Sequence, residues 1–160
     1  MQKGIIELQD GMCALVDPED HDRVAARKWY AVTRRSRGWV ERVSSGTTNL
    51  HNFVLGVETD RRTYIDHKNR NPLDNRKANL RACNPSQNMM NSRKIRRVKG
   101  TSSRHKGVTW DRQAKKWRSR IKKDGIRYCL GLHRDEDQAA LAYNRAATEM
   151  FGEFARLNEV

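Results

Sequence analysis

Asp66 and His67 stand side by side, and Asn88 follows within a stretch, Tyr64 to Asn91, in which seven positions are asparagine. An imidazole can take a proton near neutral pH, and carboxylate and amide oxygens suit a hard cation such as magnesium. Those are the groups that metal-assisted phosphodiester hydrolysis asks for: a water made nucleophilic, and a cation that draws charge off the phosphate and stabilises the leaving oxygen. The plainer alternative is a polar connection, since an Asp-His pair often caps a turn and asparagine-rich loops satisfy their own backbone.

Positioning these groups needs particular elements. Residues 62–66 (RTYID) read as a short strand that ends at the pair. Neighbouring side chains on a straight strand face opposite ways, so Asp66 and His67 can straddle one site only where the strand ends. Further on, Asn84 reads as a helix N-cap, Pro85 as the first helical residue and Gln87 as the partner in a capping box. Asn88 then lies about one turn into that helix. Strand, loop, strand or turn, and helix make a ββα unit. Before it, residues 4–8 and 12–17 flank the turn Gln9-Asp10-Gly11 as a hairpin. Asp17 and Pro18 open a helix predicted to reach Trp29. A second hairpin turns at Ser36-Arg37-Gly38, and residues 47–56 form a short helix closed by Gly56.

The whole chain has 36% apolar and 32% charged residues, against roughly 45–50% and 25% in an average globular protein. Each core must therefore be small. The net charge of +14 is unevenly spread: residues 1–60 hold 8 Lys/Arg and 9 Asp/Glu, residues 61–160 hold 25 and 10. Between Asp74 and Asp111 there are ten Lys/Arg and no carboxylate. Such one-sidedness is expected of a chain that follows a phosphate backbone, and no amphipathic basic helix argues for a membrane surface. Cys13, Cys83 and Cys129 are far apart and form no C-x-x-C pair, so neither a disulfide framework nor a zinc site is expected. With no apolar signal core and no run of 18 apolar residues, the expectation is a soluble protein of a reducing cytoplasm.

Residues 92–103 are basic and then rich in Gly, Ser and Thr, and read as a linker between domains at 1–91 and 104–158. In the second domain three strands are expected, two of them joined by the turn Lys123-Asp124-Gly125, then a helix from Glu136 to about Met150 with Asp135 as N-cap. Alternation along 117–122 sends Trp117, Ser119 and Ile121 one way and Arg118, Arg120 and Lys122 the other, with Tyr128 and Leu130 on the first side and Arg127 on the second. Alanines at 139, 140, 142, 146 and 147 would let the helix lie close on the apolar face, leaving a comb of cations free to enter a major groove.

The residues KGV, KWRSRI, Leu130-Gly131, DEDQAALAYNRAA and GEFARLN give 104–158 a resemblance to the ethylene-response-factor (apetala type) DNA-binding domain. That resemblance implies DNA contacts from Lys106, Gly107, Arg118, Arg120, Lys122 and Arg127; Cys129 stands where a tryptophan is usual. Residues 1–92, through DHKNRNPLDNRKANLR and NPSQN, resemble the HNH endonucleases of the phage and intron-associated homing group. This second resemblance implies that His67 is the general base, that Asp66 and Asn88 bind the cation, and that Asn79 ties the loop together through backbone hydrogen bonds. Asn88 replaces a histidine at the last motif position, which favours magnesium or another hard divalent cation such as manganese over zinc. Leu50-His51-Asn52 matches a common Leu-His-Arg pattern without its arginine, which leaves His51 without a role. His21, His105 and His133 lack such company and read as surface residues.

The expectation is thus an α+β chain: an N-terminal ββα-metal nuclease module, and a three-stranded antiparallel sheet packed on one helix. It would act as a monomeric, site-selective DNA nickase in the cytoplasm of a phage-infected or bacterial cell. Arg76, Lys77 and Arg81, together with Arg93, Lys94, Arg96, Arg97 and Arg104 in and beside the linker, are expected to meet phosphates of double-stranded DNA. Two rivals stay open: a sequence-specific DNA-binding regulator with an inactive nuclease module, and an RNA-binding protein suggested by charge alone.

Overall fold

A computed structural model describes residues 3–33, 39–58, 63–92 and 102–160. The chain divides into two compact units, residues 1–85 and 86–160.

The first unit opens with β1 (Ile5–Glu7) and β2 (Cys13–Leu15), an antiparallel hairpin with Ile6 opposite Ala14. Its turn uses Gly11 at φ 80°, a conformation cheap only for glycine. The helix predicted from Asp17 to Trp29 is interrupted. A single 3-10 turn, Pro18–Asp20, leads into α1 (His21–Ala25), which then stops. The reason is Trp29, which turns back into the core and donates its indole N–H to the Val24 carbonyl at 2.9 Å, the acceptor that continued helix would need. Next come β3 (Tyr30–Thr33) and β4 (Val40–Ser45), the expected second hairpin; its turn lies outside the described residues. A two-residue β5 (Thr48–Asn49) leads into α2 (Leu50–Leu55), closed by Gly56 in the left-handed region. Arg23 donates to the Phe53 and Val54 carbonyls at the end of α2, satisfying acceptors that a helix end leaves open.

Ile6, Leu8, Val16, Val24, Trp29, Val43, Leu50, Val54 and Leu80 form the core of this unit. Against it lie β6 (Tyr64–His67) and β7 (Leu80–Cys83), paired antiparallel with Asp66 opposite Arg81 and His67 opposite Leu80. The loop between them is sewn to β2: the Leu15 amide donates to the Leu73 carbonyl and the Asn75 amide to the Leu15 carbonyl, both at 2.7 Å. A helix α3 (Pro85–Asn91) follows in chain order, and the division between units falls inside it, after Pro85.

The second unit contains the rest of α3 and an antiparallel sheet of β8 (Val108–Asp111), β9 (Lys116–Lys123) and β10 (Ile126–His133), ordered β10-β9-β8. Helix α4 (Glu136–Phe151) covers one face. Asp135 caps it, its side chain accepting from the amides of Asp137 and Gln138. The alternation holds through β9: Ser119 and Ile121 are buried while Arg120 and Lys122 are exposed. A bulge between Cys129 and Gly131 shifts the register of β10 and sets Leu132 opposite Arg118. Gly107 has φ 78°, and a Cβ there would come within 2.1 Å of the Tyr143 ring. Only glycine lets this backbone press so closely on α4.

His105 departs from expectation. Far from being a surface residue, it is 4% exposed, with its amide donating to Ser103 Oγ at 2.9 Å and its Nε2 3.1 Å from Asp137 Oδ1. It ties the entry of the unit to the first turn of α4. Among the described residues no helix is long and apolar enough to cross a membrane.

Candidate active site

The β6 to β7 hairpin sets the site. His67 is the last residue of β6 and is 9% exposed; Asp66 beside it is 8% exposed. Asn75, fully buried, has its Oδ1 3.2 Å from His67 Nε2, while its Nδ2 donates to the Pro72 carbonyl at 3.0 Å. Because the amide nitrogen already faces a carbonyl, the oxygen must face the imidazole. His67 Nε2 therefore carries the hydrogen, and in the neutral ring Nδ1 carries the lone pair. Burial pulls the His67 pKa below its ordinary 6.5, against the opposing pull of the Asn75 bond and of the Asp66 and Asp74 charges. The ring is thus neutral, and able to accept a proton, at physiological pH.

Asp66 is braced from the facing strand. Arg81 donates to its Oδ2 from Nε at 3.1 Å and from Nη2 at 2.8 Å, with both side chains 9% exposed. Register explains the pair, because Asp66 and Arg81 are directly opposite on β6 and β7. Arg81, expected to meet phosphate, faces inward and holds the carboxylate instead. Arg76 and Lys77 also meet carboxylates but stay about half exposed: Arg76 grips Asp74 through Nε and Nη2 at 2.8 and 2.7 Å, and Lys77 reaches Asp20 at 2.8 Å.

The asparagines of the loop divide the labour. Asn79 Oδ1 accepts from the Asn69 amide at 3.0 Å, and its Nδ2 donates to the Asp74 carbonyl at 2.7 Å and to Asn69 Oδ1 at 3.0 Å. Asn69 Nδ2 donates to Asp74 Oδ2, and Asn71 Oδ1 accepts from the Leu73 amide. Asn79 is where the loop's bonds converge, and Asn75 is where the loop meets the histidine. Sequence alone left open whether Asn75 does more than turn the chain.

His51 was also missed. From α2 it places its ring edge-on to that of His67, centroids 5.3 Å apart and planes at 81°. Its Nδ1 is buried with no hydrogen-bond partner among the described residues. Burial and the neighbouring His67 and Arg42 push its pKa down to about 4. A second neutral imidazole thus walls the first. The available signal was the Leu50-His51-Asn52 pattern.

Asn88 lies in the second unit with the sheet residues. On the sheet face away from α4, Arg120 and Lys122 are exposed, Arg127 is exposed opposite Lys122, and Arg118 is ion-paired with Asp111. Gly107, Thr109, Arg120, Lys122 and Arg127 line a shallow groove. Lys106 points its ammonium at the carbonyls of Met89 and Met90 in α3 and of Ser92 just after it, and Arg104 lies 3.5 Å from Asp137. Arg93, Lys94, Arg96 and Arg97 lie outside the described residues.

Comparison with known proteins bears on this geometry. The sequence pattern of HNH endonucleases matches residues 62–90, from the strand through most of α3. An uncharacterized HNH endonuclease of Acanthamoeba polyphaga mimivirus is 32% identical over 154 residues, covering 94% of this chain and 76% of the relative. Protein 3.8 of Escherichia phage T7 is 31% identical over 93 residues, 58% of this chain and 74% of that protein.

Proposed function

The chain belongs to the HNH endonuclease family, and from that premise we propose that it is a DNA nickase in which His67 is the general base and Asp66 and Asn88 hold a divalent cation. The observation that carries the reading is the Asn75 bond to His67 Nε2, which leaves the proton-accepting nitrogen of a neutral ring at Nδ1, on the residue that follows a braced carboxylate in the chain. Family membership makes the protein a nuclease that works with a divalent metal ion and acts on DNA.

The donor chemistry fits a hard cation. Asp66 and Asn88 offer a carboxylate and an amide oxygen, and Arg81 holds Asp66 from Oδ2, so the carboxylate keeps a fixed rotamer. Oxygen ligands of this kind suit magnesium or manganese. Bound there, the cation would draw charge off the scissile phosphate and stabilise the departing 3′ oxygen.

The remaining work belongs to the chain. His67 Nδ1 takes a proton from water as the water attacks phosphorus in line; the bond to the 3′ oxygen breaks, leaving a 5′-phosphate and a 3′-hydroxyl. Asn75 keeps the ring in the right tautomer, Asn79 keeps the loop from opening, and His51 shields the ring from bulk water. The C-terminal sheet, read as an ethylene-response-factor-like domain, seats Arg118, Arg120, Lys122 and Arg127 in the major groove, while Arg76, Lys77, Arg93, Lys94, Arg96, Arg97 and Arg104 follow phosphates. Its working place is the cytoplasm of a phage-infected or bacterial cell.

A nicking assay on supercoiled plasmid, with and without magnesium, tests the reading. His67→Ala is expected to lose roughly 10²–10⁴-fold in rate, the usual worth of a general base, with DNA affinity retained. Unchanged nicking by that variant would remove His67 from the role. Absence of nicking by the unaltered chain with any divalent cation would favour the DNA-binding regulator instead.

A further inference from the structure

The second unit also supports helix α3. Seven residues make a helix too short to be stable alone. Within the second unit it gains two supports. Met90 packs against the cluster of Ile121, Tyr143, Ala146, Ala147 and Phe151. At its C-terminal end the Lys106 ammonium donates to the carbonyls of Met89, Met90 and Ser92 at 3.2, 2.5 and 3.0 Å. Three donors meet three acceptors, and a cation at a helix C-terminus also complements the helix dipole.

Lys106 is itself clamped. Its amide donates to Asn158 Oδ1 at 2.6 Å and its carbonyl accepts from Asn158 Nδ2 at 3.1 Å. Asn158 in turn exchanges two bonds with Asn144 of α4, at 2.7 and 2.9 Å. The next residue, Gly107, presses its backbone on Tyr143 of the same helix. An unbroken series of bonds therefore runs from α4 through Asn158 and Lys106 to the end of α3. An ammonium committed to three carbonyls is poorly placed to serve as a DNA contact, the role that the family resemblance gave it.

We infer that Lys106 is a positioning residue of the nuclease: by fixing α3 from its C-terminal end it holds Asn88 in place. The inference rests on the reading of Asn88 as a cation ligand.

The test uses the full chain and compares Lys106→Met, Lys106→Arg and Asn88→Ala by plasmid nicking over a range of Mg²⁺ or Mn²⁺, with DNA affinity measured separately in EDTA. Lys106→Met should raise the cation concentration for half-maximal nicking about tenfold, in the range typical of residues that support a ligand, and lower kcat while KM for DNA and affinity in EDTA hold. Lys106→Arg, which keeps a cation and its donors, should recover most of the loss. If Lys106→Met instead weakens DNA affinity and leaves the cation requirement unchanged, Lys106 is a DNA contact and the inference fails. If Asn88→Ala leaves the cation requirement unchanged, the reading of Asn88 fails, and the route proposed for Lys106 fails with it. Should a thermal melt show Lys106→Met unfolded, Asn158→Ala, which removes the clamp and keeps the ammonium, must give the same shift in cation requirement, or the inference is overturned.

Discussion

The tautomer of His67 hangs on one amide. Asn75→Ala removes the acceptor at Nε2 and frees the ring to place its hydrogen on either nitrogen; kcat is expected to fall about 10–100-fold with DNA affinity unchanged, in the range seen when a supporting partner is lost. Asn75→Asp tells more, because a carboxylate also accepts from Nε2–H but favours the charged ring. In the unaltered protein the His67 pKa lies below 6.5, so kcat/KM should rise with pH along an acid limb below that value and be level by neutrality. Asn75→Asp should move the limb upward, and a pH profile of nicking reads it directly. His51 makes a stability prediction. Its folded pKa of about 4 lies under the ordinary 6.5, so between those values the unfolded chain binds a proton that the folded one does not. The stability is fully present above about pH 6.5 and is lost as pH falls toward 4, up to about 3 kcal/mol. Denaturant melts of the chain and of His51→Phe should diverge only in that window. At this scale the Asp66-His67 pair at the end of a short strand was legible from residue type and spacing, and the tie made by Asn79 from the family resemblance. Asn75 and Arg81 were not, because their partners are set by loop path and strand register, which no local pattern encodes.

Among the elements, short-range signals carried far. The hairpins, the helix closed by Gly56, the cation comb of β9 and the Asp135 cap all follow from alternation, turn chemistry or capping, which act within a few residues. Two features depended on distant packing. The α1 helix stops short because Trp29 is claimed by the core, and the β10 bulge redirects Leu132. Gly107 offers the sharpest test here. Gly107→Ala would meet both a positive φ and the Tyr143 ring, and should cost about 3 kcal/mol or more, visible as a lower Tm. Gly125, also at positive φ but with open space around it, should lose markedly less on the same substitution.

For the molecule as a whole, charge decides how it meets DNA. If Lys94, Arg96 and Arg97 each neutralise a phosphate, replacing any one by Ala should flatten the dependence of log affinity on log salt by roughly 0.9, measured on one duplex from low to physiological salt. The basic half was plain in composition; the place where the chain divides was not. The predicted boundary followed a basic, Gly/Ser-rich run at 92–103, whereas packing draws residues 86–91 into the second unit, since burial of Met90 and the Lys106 bonds outweigh any preference written in the linker. That has a consequence for engineering. A chimera that exchanged the C-terminal sheet for another after residue 91 would discard Lys106, Asn144 and Asn158 together and leave α3 with a bare end. A working chimera would have to carry those three residues across the junction, or supply a new cap for the helix it inherits.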